Sequence, residues 1–119
     1  MNAINLAEKF SRVPGPWLPC VVGALNGQHV KVVKFVGEFL WHSHANEDEM
    51  FLVVRGAFRM EYRDRSVDVR EGEFVIVPRG VEHRPVAEEE CSVLLFEPET
   101  TLNTGNVRGD RTVEHPEWV

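Results

Sequence analysis

Histidine and acidic side chains are concentrated in one short segment of the chain, WHSHANEDEM, at residues 41–50. His42 and His44 are two residues apart, so both imidazoles lie on the same face if the segment is extended. Neutral imidazole is a common nitrogen ligand for metal ions in proteins. A metal site is therefore one interpretation of this segment, and a solvated polar turn between two strands is the other.

Two further side chains have the types and positions to complete a metal site. Glu49 begins an apolar run, and a tight loop before it would bring its carboxylate back beside the two imidazoles. His83 follows the turn sequence PRGVEH, in which Pro78 ends a strand and Gly80 permits a sharp bend. Three imidazoles and one carboxylate suit one divalent transition metal ion, whether iron, manganese, nickel, zinc or copper, with coordination positions left for water or substrate.

The elements that must position these residues are strands. Apolar and alternating runs are separated by turn residues at intervals of about 8–12 residues, which is typical of an all-β sandwich or barrel. Asn26-Gly27 favours a type I′ hairpin turn. No helical segment lies between the runs, which argues against a parallel βαβ sheet. The expected strands are residues 20–25, 29–41, 50–56, 57–64, 66–70, 73–78 and 91–98.

The two ends of the chain are expected to lie outside the barrel, which is assigned to residues 20–98. Residues 1–19 combine a short helical pattern over residues 3–12 with the connector PGPWLP, where proline ends any helix. Residues 99–119 form a polar C-terminal extension, predicted to add an edge strand or to contact a partner subunit.

Composition excludes several classes of protein. The 119 residues suit one domain, and a net charge of −6 without a basic run argues against nucleic acid or anionic membranes as partners. No segment reaches the ~18 apolar residues of a spanning helix, and no secretion signal is evident, so we expect a cytoplasmic protein. Cys20 and Cys91 are expected to be buried thiols, with a single disulfide left open.

The spacing of the candidate ligands resembles the motifs of the cupin family, which are small β-barrels of the jelly-roll kind. The first cupin motif is matched by Gly37, His42, His44, Glu49 and Gly56. The spacer after the first glycine has four residues, where the usual pattern has five.

The second cupin motif follows in the expected order. It is matched by Gly72, Pro78, Gly80 and His83, whereas its final asparagine is replaced by Ala87. The resemblance, together with the strand pattern, predicts an all-β, cupin-like jelly-roll β-barrel with a short N-terminal helix. It also implies a homodimer, for which the segments with Trp17 and Trp118 are candidate interfaces. The metal ligands that the resemblance implies are His42, His44, Glu49 and His83.

Strand alternation suggests which side chains contact a small molecule in the barrel. Phe51, Met60 and Tyr62 are expected to face inward, and Arg59 is a candidate anchor for an anionic group. One hypothesis is a metalloenzyme, dioxygenase-like or isomerase-like, acting on a small polar or anionic substrate; small cupins of this kind often carry a mannose-6-phosphate-isomerase-like label. The alternative is a non-catalytic module that binds a small ligand or sugar. That alternative gains weight because no dedicated general base is evident.

Overall fold

The computed structural model describes residues 1–119 and contains one short helix and seven strands. Every strand expected from the sequence is present, although several differ in length. The elements are α1 (Leu6–Phe10), β1 (Cys20–Leu25), β2 (Gln28–Glu38), β3 (Glu49–Arg55), β4 (Ala57–Tyr62), β5 (Ser66–Arg70), β6 (Phe74–Val77) and β7 (His83–Pro98).

Local chemistry explains where several elements begin and end. Helix α1 is shorter than the predicted segment because the Asn5 side chain caps its first turn, accepting a hydrogen bond from the Glu8 amide at 2.9 Å. Asn26 and Gly27 have φ angles of 50° and 75°, as the predicted type I′ turn requires. Strand β2 ends earlier than expected, after a bulge and a positive φ at Gly37.

Strand β7 connects the two parts of the barrel. The sequence predicted only its second half, because the three glutamates at 88–90 interrupt the apolar pattern. Its last residues pair with β2 and β3 in a sheet of order β1-β2-β7-β3-β6, and its first residues pair with β4, which also pairs with β5. All of these pairings are antiparallel. The predicted all-β jelly-roll barrel with a short N-terminal helix is confirmed.

The barrel interior is filled by one cluster of buried apolar side chains. Trp17, from the N-terminal connector, belongs to this cluster and stacks on Phe35 and Phe39 with ring centroids 4.4 and 4.8 Å apart. The Trp17 indole therefore packs inside its own subunit, and the interface expected at the segment around it stays a prediction. A second, smaller cluster joins α1 to the outer face of β1 and β2 through Phe10 and Val32.

The C-terminal extension packs closely on the barrel. Asn106 forms two hydrogen bonds with Ser43: its side-chain oxygen accepts from the Ser43 amide at 2.8 Å, and its own amide donates to the Ser43 carbonyl at 3.0 Å. Trp118 forms a single parallel bridge with Val21. The predicted edge strand is thus reduced to one bridge, and the extension instead braces the segment that carries two of the histidines.

One part of the sheet surface carries exposed apolar side chains. Phe74 and Ile76 lie on the edge strand β6, with 58% and 54% of their surface exposed. They are paired with Leu52 and Met50 of β3, which are partly exposed on the same face. No other part of the chain covers this face.

Cys20 and Cys91 are both buried and free, so the chain contains no disulfide. Burial raises the pKa of the Cys91 thiol to about 11. No helix of the structure has the length and apolar character needed to cross a bilayer.

Candidate metal centre

Backbone pairing brings two of the histidines together. His42 lies in the segment between β2 and β3, and His83 is the first residue of β7. Their backbones form an antiparallel bridge, with N–H to carbonyl distances of 3.1 and 3.0 Å. Paired residues project their side chains to the same face of a sheet, and the two imidazole centroids are 4.3 Å apart.

The third histidine is held by the turn that precedes β7. The Gly80 amide donates to the His44 carbonyl at 2.7 Å, and a φ of 80° at Gly80 turns the chain toward His83. One ring nitrogen from each of His42, His44 and His83 lies within 4.8 Å of the other two. All three imidazoles are buried. The structure therefore gathers the three predicted histidines into one cluster inside the barrel.

Glu49, the first residue of β3, faces the same cluster. Its Oε1 lies 3.2 Å from His44 Nε2 and 3.7 Å from His83 Nε2. Despite these short distances, none of the three atoms makes a hydrogen bond, and all three are shielded from solvent. A buried polar atom without a partner costs about 1–3 kcal/mol. Three such atoms aimed at one point therefore fit a bound cation better than a self-contained polar cluster.

The outer nitrogens of two imidazoles have fixed partners. Nδ1 of His42 and Nδ1 of His83 each hydrogen-bond to a backbone carbonyl two residues earlier, those of Leu40 and Val81, at 2.9 Å. A carbonyl only accepts, so Nδ1 carries the proton and Nε2 presents a lone pair to the cluster. Metal-binding histidines are commonly oriented in this way. The donor set thus fits a divalent transition metal ion, the cofactor predicted from the sequence.

Burial and neighbouring groups set the charges of the cluster. Burial, reinforced by the nearby His83 ring, lowers the pKa of His42 to about 4, so this imidazole is neutral at neutral pH. Burial alone would raise the pKa of Glu49, but the adjacent imidazoles of His44 and His83 outweigh that effect and hold it below its usual range. A neutral imidazole and a carboxylate are the forms that bind metal ions.

A small cavity of about 30 Å³ opens onto His42 and Glu49. It has room for one or two water-sized molecules. Its walls are mainly aromatic and aliphatic, and both chain ends contribute to them. The residues that define its character are Trp17, Phe35, Phe39, Phe51, Leu95 and Asn103.

The four residues predicted to contact a substrate occupy different places. Phe51 lines the cavity, with its ring 6.0 Å from that of His83. Met60 is fully buried in the core, and Tyr62 lies in a separate surface groove between β4, β5 and β6. Arg59 does not face the barrel interior. Side chains alternate along β4, so Arg59 projects from the face of the sheet away from buried Met60. It instead forms ion pairs with acidic residues outside, at 3.0 Å from Glu61 and 3.3 Å from Glu88.

Sequence reasoning missed a buried charged pair beside the cluster. Lys31 and Glu97 are 3% and 2% exposed, and Lys31 Nζ lies 3.6 Å from Glu97 Oε2. The signal was present in the alternation: Lys31 shares a face with two core residues of β2, Val33 and Phe35. Burial, together with the adjacent charge of Glu49, raises the pKa of Glu97 well above its ordinary value.

Comparison with known proteins places this fold and site in a family. Residues 30–97 match the family described as Cupin_2, the cupin domain, and this span covers more than half of the chain and all four candidate ligands. A Bacillus subtilis (strain 168) protein, YdbB, is 30% identical over 64 residues, which cover 53% of this chain. The matched stretch spans 57% of that relative.

Solved structures agree with this assignment. A cupin-2 domain containing protein from Shewanella frigidimarina is 41% identical, with a TM-score of 0.80, over 82% of this chain and 95% of its own. Protein NMB1881 from Neisseria meningitidis is 32% identical, with a TM-score of 0.76, over 82% of this chain and 100% of its own. The chain therefore belongs to the Cupin_2 family, as a small cupin-domain protein.

Proposed function

We propose that this protein is a metal-dependent oxidoreductase of the dioxygenase type, acting on a small, largely apolar molecule. His42, His44, Glu49 and His83 would together hold one divalent transition metal ion. The observation that carries the proposal is the convergence of buried donor atoms without hydrogen-bond partners beside an aromatic cavity. When bound, a redox-active metal in this donor set supplies Lewis acidity and one-electron chemistry.

The residues of the chain orient the candidate ligands and surround them with apolar side chains. The carbonyls of Leu40 and Val81 fix the His42 and His83 rings, so that their Nε2 lone pairs face inward without rearrangement. The aromatic and aliphatic walls surround the space beside the ligands with apolar side chains. A low-dielectric surrounding strengthens the electrostatic interactions inside it.

A substrate would have to widen this cavity of about 30 Å³, and the lining favours an apolar substrate over the polar or anionic one expected from the sequence. No lysine or arginine lines it, and Arg59 lies on the outside of the barrel. Apart from His42 and Glu49, the only polar residue in the lining is Asn103. Isomerisation of a sugar phosphate needs an anion anchor and a proton-transfer group, so we favour oxidation over isomerisation.

A non-catalytic binding module is the second candidate, because the same lining offers no separate general base. In that case the metal, or the aromatic walls alone, would hold a small ligand without chemical change. The two candidates differ in one measurable property, the consumption of dioxygen.

Elemental analysis of protein purified without a nickel column tests the metal site first. We expect about one transition metal ion per chain, its loss in His83→Ala, and its retention in the control His115→Ala, whose imidazole is exposed. Oxygen uptake by the iron-loaded protein is then measured with apolar diols, diketones and thiols. Absence of metal from both wild type and control would overturn the proposal, and bound metal without oxygen uptake on any substrate would favour the binding module.

A further inference from the structure

A buried ion pair lies directly behind the candidate metal ligand Glu49. Lys31 on β2 and Glu97 on β7 belong to adjacent antiparallel strands, and both side chains point into the barrel. Replacing a buried ion pair with apolar residues is often neutral for stability or even stabilising. The stability of the fold alone therefore does not account for these two charges in the core.

The position of Glu97 suggests what the pair does. The register of β3 and β7 pairs Met50 with Phe96, so Glu97 lies directly opposite Glu49, and both side chains are buried on the inward face of the two strands. Two carboxyl groups in contact inside a barrel repel each other if both are charged. The Lys31 ammonium, 3.6 Å away, is the group that allows Glu97 to occupy this place.

Glu49 benefits from such a support because no hydrogen bond fixes its Oε1. It follows a loop, and its Oε1 receives no hydrogen bond from any protein donor. A glutamate side chain has several rotatable bonds and loses much rotamer freedom when it is held in one orientation. Its carboxylate nevertheless points at the Nε2 atoms of His44 and His83.

We infer that Glu97, held in place by Lys31, is a positioning residue that keeps the Glu49 carboxylate aimed at the metal position. This inference rests on the proposed metal site. Glu97 acts through Glu49 and does not bind the metal itself. A contact of this kind behind a ligand commonly changes metal affinity by about 10–100-fold.

The test compares two double variants that differ only in hydrogen bonding. Lys31→Met with Glu97→Gln, and Lys31→Met with Glu97→Met, both remove the two charges, so neither leaves an unpaired buried ion. Gln and Met side chains are unbranched and similar in length, but only the Gln amide can donate a hydrogen bond to Glu49.

Cobalt(II) alone is the probe, titrated into each metal-free protein and followed by its visible absorption spectrum. Urea unfolding of the metal-free proteins reports separately on the fold. We expect the Gln-containing variant to bind cobalt nearly as well as wild type, with the same spectrum. The Met-containing variant should bind about 10–100-fold more weakly and with an altered spectrum.

Three outcomes would overturn the inference. Equal affinity in wild type and both variants would make the pair purely structural, and an equal loss in both variants would mean that charge matters and the contact does not. Wild type that takes up no cobalt would overturn the proposed function as well, whereas unchanged variants would overturn only this inference. If the Met-containing variant does not fold, Glu97→Leu replaces that substitution in the same comparison.

Discussion

Gly105 in the C-terminal extension lies against the segment that carries His44. Its φ is +57°, and a methyl group added there would lie 2.2 Å from the Ser43 carbonyl oxygen and 3.2 Å from His44 Nδ1. Real carbon atoms do not approach a carbonyl oxygen so closely. Gly105→Ala must therefore move either the extension or the backbone of Ser43, and Ser43 carries its neighbour His44 with it.

The expected cost has two parts. A left-handed backbone costs a non-glycine residue about 1–2 kcal/mol. Forcing an extra methyl group into a packed contact costs about 1–3 kcal/mol more. The free energy of unfolding of Gly105→Ala should therefore fall by about 2–5 kcal/mol, and metal affinity should fall because His44 is displaced.

Urea unfolding of the metal-free protein measures the first effect, and cobalt titration of the folded protein measures the second. Gly109→Ala is the matched control, because it lies in the same extension, has no positive φ and has no atom within 4 Å of the added methyl group. We expect the control to change stability by less than about 0.5 kcal/mol. If Gly105→Ala matched the control in both measurements, the argument that the extension braces His44 would be refuted.

Three further predictions concern pH, assembly and the cavity. The burial of His42 should contribute a loss of roughly 3 kcal/mol to the unfolding free energy of the metal-free protein as pH falls from 6.5 to about 4, because the unfolded chain takes up a proton that buried His42 does not. The His42→Gln variant should lose less unfolding free energy than wild type over this pH range, and the difference should equal that contribution. Identical pH profiles for the two proteins would contradict the role given to His42. We propose that the predicted homodimer forms through the exposed face of β6, since an edge strand with apolar side chains favours pairing with a second copy. Phe74→Glu with Ile76→Lys should then give a monomer in light scattering, and an unchanged mass would exclude this face. Trp17→Ala should cost about 3–5 kcal/mol and open the cavity to small aromatic molecules, measured by unfolding and calorimetry. Trp118→Ala, at a 63% exposed position, is the control, and equal losses in both would contradict the packing argument.

Local pattern was enough to predict most of the strand residues and the candidate ligands, although the first half of β7 was not predicted. Alternation and turn residues act over a few positions, so the β-barrel and the Asn26-Gly27 turn follow from short stretches of sequence. The spacing of His42 and His44 likewise predicts a shared face, because side chains two apart project together. For these features the residues that indicate the structure are also the residues that produce it.

Only the tertiary structure decided what surrounds the candidate ligands. The position of Glu97 opposite Glu49, the lining of the cavity by Trp17 and Asn103, and the bracing of His44 by Gly105 all join residues far apart in the chain. Alternation shows that a side chain points inward but not which distant side chain it meets, because that depends on strand order and register. The pairing of β7 with three other strands decides both, and so it determines the surroundings of the site.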